Sequence, residues 1–100
     1  MLQDPVKVAP QNYKVLFENN RIRLIEYTSK PGDKTPMHSH PAYLVYILNP
    51  GKAKFTFPDG KTKERETRPG EVVWSEAVTH IEENIGTTDI RALIIELKEE

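Results

Sequence analysis

The chain has 100 residues, 37% of them hydrophobic, and its 14 basic and 15 acidic residues give a net charge of −1. This length corresponds to one domain. Because there is no basic excess to neutralise phosphates, we do not expect a nucleic-acid partner. The absence of cysteine excludes disulfides, thiolate nucleophiles and iron–sulfur clusters.

The N-terminal residues show no regular pattern. Residues 1–12 contain Pro5 and Pro10 and are interpreted as an N-terminal arm that lies along the domain or pairs with a neighbouring chain. They carry neither the basic nor the apolar segment of a signal peptide, and no stretch of the chain approaches the roughly 18 apolar residues of a membrane span. We therefore expect a cytoplasmic protein with no membrane partner.

From residue 13 onward the sequence is typical of β-strands separated by turns. Strand-forming residues dominate seven short runs, at positions 14–18, 21–28, 43–48, 53–57, 72–75, 80–85 and 90–97. Turn-forming pairs and triplets separate them, among them Asn19-Asn20, Pro31-Gly32, Pro58-Asp59-Gly60 and Pro69-Gly70. No interval has the 3.6-residue period of a helix over a useful length. The pattern predicts an all-β sandwich or barrel over residues 13–100 as a single domain.

Two features of these runs concern surfaces. The charges at positions 61–68 alternate in sign, which is typical of a solvated strand face, so we assign no function to them. In residues 43–48 and 90–95 both alternating faces are mostly apolar, as in a strand covered by the barrel interior on one side and by a second sheet or subunit on the other. Together with the small share of hydrophobic residues in the chain, this pattern predicts a homodimer.

The three histidines carry the chemistry. His38 and His40 are separated by one residue, so on a strand both imidazoles lie on the same face. A pair of imidazoles suits a divalent transition metal ion such as Fe, Ni, Zn, Mn or Cu, and His80 is the remaining candidate for a third ligand. Taken alone, a His-x-His pair on a strand is also compatible with a polar surface pair.

The residues around the histidines resemble the two motifs of the cupin family. Gly32 is followed by five residues, His38-Ser39-His40 and, later, Gly51; Gly70-Glu71 is followed by a short loop, His80 and, four positions on, Asn84. This resemblance covers residues 32–84, and all three histidines fall on the family's ligand positions. It implies a double-stranded β-helix, or jelly-roll barrel, in which His38, His40 and His80 bind a metal.

The sequence departs from the family pattern in two places. Leu44 stands where the family has a ligand Glu, and the second motif lacks its Pro and Gly around Glu76-Ala77-Val78. Three neutral imidazoles leave a divalent ion with its full charge, so the site should favour anionic chelators such as a carboxylate, an enolate or a 2-oxo acid. Cupins with three-histidine centres include iron oxygenases, so the resemblance implies dioxygenase-like chemistry on a small anionic or carbonyl substrate.

Strand alternation adds two candidate catalytic residues. Counting from His80 places Glu82 on the ligand face as an acid/base, a hydrogen-bond partner or a fourth ligand, unless a bulge turns it to solvent. Counting from His40 places Leu44 and Tyr46 inward, where Tyr46 either donates a hydrogen bond to substrate or serves as a barrel-wall aromatic. Trp74 is interpreted as filling barrel volume.

Three functional hypotheses remain open from the sequence. The first is a metal-dependent enzyme in which the ion chelates a small anionic substrate. The second is a non-catalytic cupin module that binds metal and small molecules, and the same residues would serve it. The third is an ordinary β-barrel whose histidines only fill space.

Overall fold

The computed structural model describes residues 3–98 and contains two antiparallel β-sheets. The all-β prediction is confirmed. Nine strands follow one short helix in the order α1 (Pro5–Val8), β1 (Tyr13–Glu18), β2 (Ile22–Ser29), β3 (His38–His40), β4 (Tyr43–Ile47), β5 (Gly51–Thr56), β6 (Thr62–Thr67), β7 (Val72–Ser75), β8 (Val78–Asn84) and β9 (Ile90–Leu97).

The strands divide between a five-stranded and a four-stranded sheet. The first has the order β1-β2-β9-β4-β7 and the second the order β3-β8-β5-β6. The chain leaves the four-stranded sheet after His40 and enters the five-stranded sheet at Tyr43, so Pro41 and Ala42 form a corner between the sheets. The two inner faces enclose the core, which includes Ile25, Ala53, Ile90 and Ile94.

The turns follow the signals in the sequence. Gly60, in the turn between β5 and β6, has a φ of 87°, a left-handed conformation that glycine adopts without steric cost. Asn84 ends β8 and is buried, and its amide donates to the carbonyl of Thr88 at 2.9 Å while its Oδ1 accepts from the backbone of Gly86 at 3.0 Å. These bonds hold the loop between β8 and β9 against the barrel.

The N-terminal segment lies along the barrel. Asp4 caps α1 by accepting from the backbone N–H of Val6 at 3.0 Å, and Pro5 and Ala9 are buried. The helix contacts β1 and β3, and the carbonyl of Gln3 accepts from the backbone of Ser39 at 2.7 Å. The segment therefore supports the strand that carries the His-x-His pair, and its short helix was not predicted from the sequence.

No helix among residues 3–98 is long and apolar enough to cross a membrane. The cytoplasmic location stays a prediction.

Candidate metal centre

The fold brings the three histidines together between the sheets. β3 and β8 are antiparallel neighbours, and His38 stands directly opposite His80 in their register. The ring centroids of His38 lie 4.9 Å from those of both His40 and His80, and one ring nitrogen from each histidine lies within 4.8 Å of the others. All three residues are buried, with exposures of 3% or less. The three histidines therefore form a group that could hold a metal ion.

Hydrogen bonds orient two of the rings. Nδ1 of His38 lies 2.9 Å from the carbonyl oxygen of Pro36, and Nδ1 of His40 lies 2.8 Å from Oε2 of Glu96. A carbonyl or carboxylate oxygen only accepts, so both Nδ1 atoms carry the proton and act as donors. The lone pair of each ring is therefore on Nε2, the atom that would bind a metal, and in His38 this atom accepts a hydrogen bond from the Tyr13 hydroxyl at 3.1 Å.

The third ring provides the test of whether a metal fits. Nε2 of His80 is buried and has no hydrogen-bond partner among the described residues. Burial lowers the pKa of His80 to about 3 and that of His38 to about 4, so both rings are neutral at pH 7, the form that binds metals. An unpartnered buried nitrogen beside two oriented imidazoles is a donor set that suits a divalent transition metal.

A hydrogen bond and two ion pairs connect His40 through Glu96 and Arg23 to Asp4. Glu96 is 3% exposed and accepts from His40 through Oε2 and from Arg23 through Oε1, at 2.8 Å in each case. The guanidinium of Arg23 also donates two hydrogen bonds to the carboxylate of Asp4, both at 2.9 Å. The buried carboxylate is thus paired on both sides, which is the condition for burying a charge without a large cost.

Tyr13 and Glu82 form a second polar group beside the histidines. The Tyr13 hydroxyl lies 3.1 Å from Nε2 of His38 and 3.4 Å from Oε1 of Glu82. Burial raises the pKa of Glu82 to about 7, and hydrogen bonds from neighbouring tyrosine hydroxyls only partly oppose this. Glu82 therefore changes its protonation state near neutral pH, and Tyr13 connects it to the ligand His38.

Two adjacent cavities meet at the histidines. The inner cavity, of about 90 Å³, is lined by His40 and Glu82, and the outer one, of about 180 Å³, by His80. Both share a set of wall residues, namely Tyr43, Phe55, Arg65, Val73 and Ser75. A small ligand therefore has room next to the histidine cluster, between mostly apolar walls.

The predicted inward position of Tyr46 is wrong. Its side chain is 44% exposed on the outer face of β4, and Leu44 lies on the same side of the strand. The alternation counted from His40 does not continue into β4, because after the corner at Pro41 and Ala42 the odd-numbered residues, and not the even-numbered ones, point into the barrel. The inward residues of β4 are Tyr43, Val45 and Ile47, which line the inner cavity.

Trp74 does not fill the barrel either. It is 49% exposed and donates from Nε1 to Glu76 at 2.6 Å.

Leu44, which stands where the cupin pattern described above has a ligand Glu, lies on β4 next to Val45, a residue that lines the inner cavity. β4 contains no carboxylate.

Sequence reasoning missed Glu96, Arg23 and Tyr13. For Glu96 a signal existed, because it shares the alternation of Ile90, Ala92 and Ile94, the inward side of β9. A charged residue at an inward position requires a partner. For Tyr13 and Arg23 the sequence contains no such signal, since their contacts come from strands distant in the chain.

Comparison with known proteins gives structural matches only. No family sequence model matches the chain, and no curated protein matches its sequence. A cupin domain from Bordetella pertussis Tohama I superimposes with a TM-score of 0.79 at 26% identity, covering 87% of this chain and 92% of that one. A cupin superfamily protein from Desulfitobacterium hafniense has a TM-score of 0.65 at 20% identity, with coverage of 87% and 76%.

A third match is an enzyme. The polyketide cyclase RemF from Streptomyces resistomycificus superimposes with a TM-score of 0.63 at 26% identity, and the match covers 87% of this chain and 64% of that one. Together these structures confirm the predicted double-stranded β-helix, and the chain has the cupin fold.

We predict that Glu96→Gln weakens metal binding about 10- to 100-fold, because the amide no longer fixes the protonated Nδ1 of His40 as a carboxylate does. Competition with a chromophoric chelator measures the affinity. Glu26→Gln is the matched control, since Glu26 pairs with Arg91 at 3.2 Å on the surface. Equal affinities in wild type and Glu96→Gln would contradict this role.

The metal-free protein should lose stability as the pH falls from 6.5 to 4.5. The unfolded chain takes up protons on histidine near pH 6.5, whereas His38 and His80 in the folded state resist protonation down to about pH 4 and 3. Glu82 acts in the opposite direction, because its pKa is raised in the folded protein. Its contribution to stability is fully present below about pH 4.5 and is lost as the pH rises through 7.

Two variants separate these opposing contributions. His80→Gln should reduce the loss of stability between pH 6.5 and 4.5, and Glu82→Gln should increase it. Urea unfolding midpoints in the presence of a chelator measure both. If the unfolding midpoint depended on pH in the same way in the wild type and both variants, these groups would not have the shifted pKa values.

Proposed function

We propose that this cupin-fold chain is a metal-dependent enzyme that carries out a dioxygenase-like reaction on a small anionic or carbonyl substrate. The observation that supports the proposal is the unpartnered Nε2 of His80, buried beside two oriented imidazoles, in a residue that lines the outer cavity. His38, His40 and His80 would hold the ion. A divalent transition metal at such a centre supplies a Lewis acid with open coordination positions.

The charge of the site favours an anionic substrate. Three neutral ligands would cancel none of the ion's charge, and among residues 3–98 the ligand cluster includes no carboxylate. Glu96 and Glu82 lie next to the cluster, and each accepts a hydrogen bond. The remaining walls of the inner cavity include Val45, Ile47 and Phe55, whose apolar side chains exclude water and strengthen electrostatic attraction. A carboxylate or a 2-oxo acid is the group that this environment binds best.

Glu82 is the acid/base of the proposed reaction. Its carboxyl lines the inner cavity together with His40, and its Oε1 contacts the Tyr13 hydroxyl. A proton taken from substrate is held at Glu82, and the Tyr13 hydroxyl donates a hydrogen bond to the ionised carboxylate that accepts this proton. Tyr46 has no part in this chemistry because it lies on the outer face.

Metal content and turnover test the proposal together. Elemental analysis of untagged protein should find about one metal ion per chain, most of it lost in His80→Ala. The metal-loaded protein should consume oxygen with a 2-oxo acid from a substrate panel. Glu82→Gln should keep the metal and lower turnover at least about 100-fold, whereas Tyr46→Phe, the control, should change neither.

Two results would overturn it. Stoichiometric metal in His80→Ala would refute the ligand assignment. Metal-loaded protein that binds candidate ligands without converting them, with and without oxygen, would favour the non-catalytic metal-binding module instead.

We also propose that the protein is a homodimer. A row of apolar side chains crosses the outer face of all five strands of the larger sheet, and strand register makes them neighbours: Phe17, Leu24, Ile95, Leu44 and Trp74. Phe17 is 52% exposed and Trp74 is 49% exposed, so the face is incompletely covered in the single chain. A second copy would bury it.

Sedimentation measures the mass of the protein in solution and thereby tests for the dimer. We predict a mass of about two chains for the wild type and a shift towards one chain for Trp74→Glu, because the charge would be buried without a partner. Lys61→Glu, on an exposed turn, is the control. A wild-type mass of one chain would contradict the homodimer.

A further inference from the structure

The Tyr13 hydroxyl stands between a candidate metal ligand and the candidate acid/base. Its oxygen lies 3.1 Å from Nε2 of His38 and 3.4 Å from Oε1 of Glu82. Tyr13 is 1% exposed and His38 is fully buried, so the solvent does not compete for this hydroxyl. The two groups that Tyr13 contacts are therefore connected through one hydroxyl.

The tautomer of His38 fixes the direction of its hydrogen bond with Tyr13. Nδ1 of His38 lies 2.9 Å from the carbonyl oxygen of Pro36, which only accepts, so Nδ1 carries the ring proton. Nε2 is then an acceptor, and the Tyr13 hydroxyl donates to it. Because a hydroxyl has one proton, Tyr13 shares this proton between His38 and Glu82, with the shorter distance on the side of His38.

A metal ion at His38 would take the lone pair that Tyr13 uses. Nδ1 is protonated, so Nε2 is the nitrogen that His38 offers to the histidine cluster. One lone pair cannot bind a metal and accept a hydrogen bond together. The Tyr13 proton would then be left with Oε1 of Glu82, the other acceptor within its reach. Hydrogen bonds to carboxylates are shorter and stronger than those between neutral groups.

We propose that Tyr13 is a positioning residue whose hydrogen bond, shared between His38 and Glu82, passes wholly to Glu82 when a metal ion binds. The ligand cluster and the candidate acid/base are thereby coupled, because Glu82 receives the full hydrogen bond only in the loaded protein. Such coupling is reciprocal, so Glu82 in turn favours metal binding through Tyr13. This inference deepens the proposed function and rests on it only for an ion at His38.

Tyr27 provides a matched comparison for Tyr13. The two residues stand opposite each other in the register of β1 and β2, and their ring centroids lie 4.9 Å apart. Tyr27 is 2% exposed and thus as deeply buried as Tyr13. Its hydroxyl makes no hydrogen bond to a histidine among residues 3–98. Metal binding therefore redirects no hydrogen bond of Tyr27.

Nuclear magnetic resonance of protein labelled with ¹³C at tyrosine Cζ follows the hydroxyl of each of the four tyrosines. Zn²⁺ alone is the probe, since its filled d shell neither broadens resonances nor adds redox chemistry. Zn²⁺ should move the Tyr13 resonance in the direction of stronger donation and leave that of Tyr27 nearly in place. In Glu82→Gln this movement should be smaller, because the amide oxygen is a neutral acceptor. The Tyr13 resonance is the one that persists in Tyr27→Phe, Tyr43→Phe and Tyr46→Phe.

Zn²⁺ affinity without substrate, measured by competition with a chromophoric chelator, gives a second readout. Tyr13→Phe should raise the Kd for Zn²⁺ by a factor that is about 3- to 10-fold larger in the wild-type background than in Glu82→Gln. A hydroxyl that only fills space would give the same factor in both backgrounds. Tyr27→Phe is the control and should give equal factors.

Three results would overturn the proposal. The first is a Tyr13 resonance that does not respond to Zn²⁺ or responds equally in the wild type and in Glu82→Gln. The second is equal factors for Tyr13→Phe in the two backgrounds. The third is a movement as large as that caused by full deprotonation, because Tyr13 would then be a metal ligand. If Tyr13→Phe does not fold, the resonances of the wild type and Glu82→Gln decide.

Failure of the proposed function gives a different result. A chain that binds Zn²⁺ at the histidines and shows the Tyr13 response, but whose metal-loaded forms convert no substrate, would refute the enzyme and support this inference. A chain that binds no Zn²⁺ would refute the ligand assignment and this inference together.

Discussion

The structure depends on the burial of three imidazoles between two β-sheets. A buried ring nitrogen without a partner costs free energy, so each ring needs a hydrogen bond or a ligand on both sides. In His38, Pro36 and Tyr13 contact the two ring nitrogens, and in His40, Glu96 contacts Nδ1. The unpaired Nε2 of His80 is the remaining position, and it explains why a metal would stabilise the fold as well as supply chemistry.

Short-range patterns predicted most of the architecture. Strand-forming runs and turn residues marked the principal strands, because alternation and turn geometry are local properties. Glu82 was placed on the ligand face because it shares the uninterrupted strand β8 with His80. The short helix at Pro5–Val8 was missed, since four residues are too few to show a helical period.

Prediction of the site was limited where it depended on long-range geometry. Tyr46 was placed inward because the alternation was continued from His40 across Pro41 and Ala42. The chain changes sheets at these two residues, and the alternation of inward and outward side chains starts afresh in the new strand. Arg65 was assigned to a solvated face on the basis of alternating charge. Its position in the wall of the cavities depends on the pairing of β6 with β5, which no local pattern encodes.

The ion-pair chain from Asp4 to His40 also joins the N-terminal helix to the candidate metal centre. Asp4 both caps the helix and holds Arg23, which in turn holds the carboxylate that orients His40. A purification tag or truncation that disturbs the first turn would therefore act on the orientation of His40 through Arg23 and Glu96. Recombinant forms that differ only in their leading residues are not interchangeable for metal analysis.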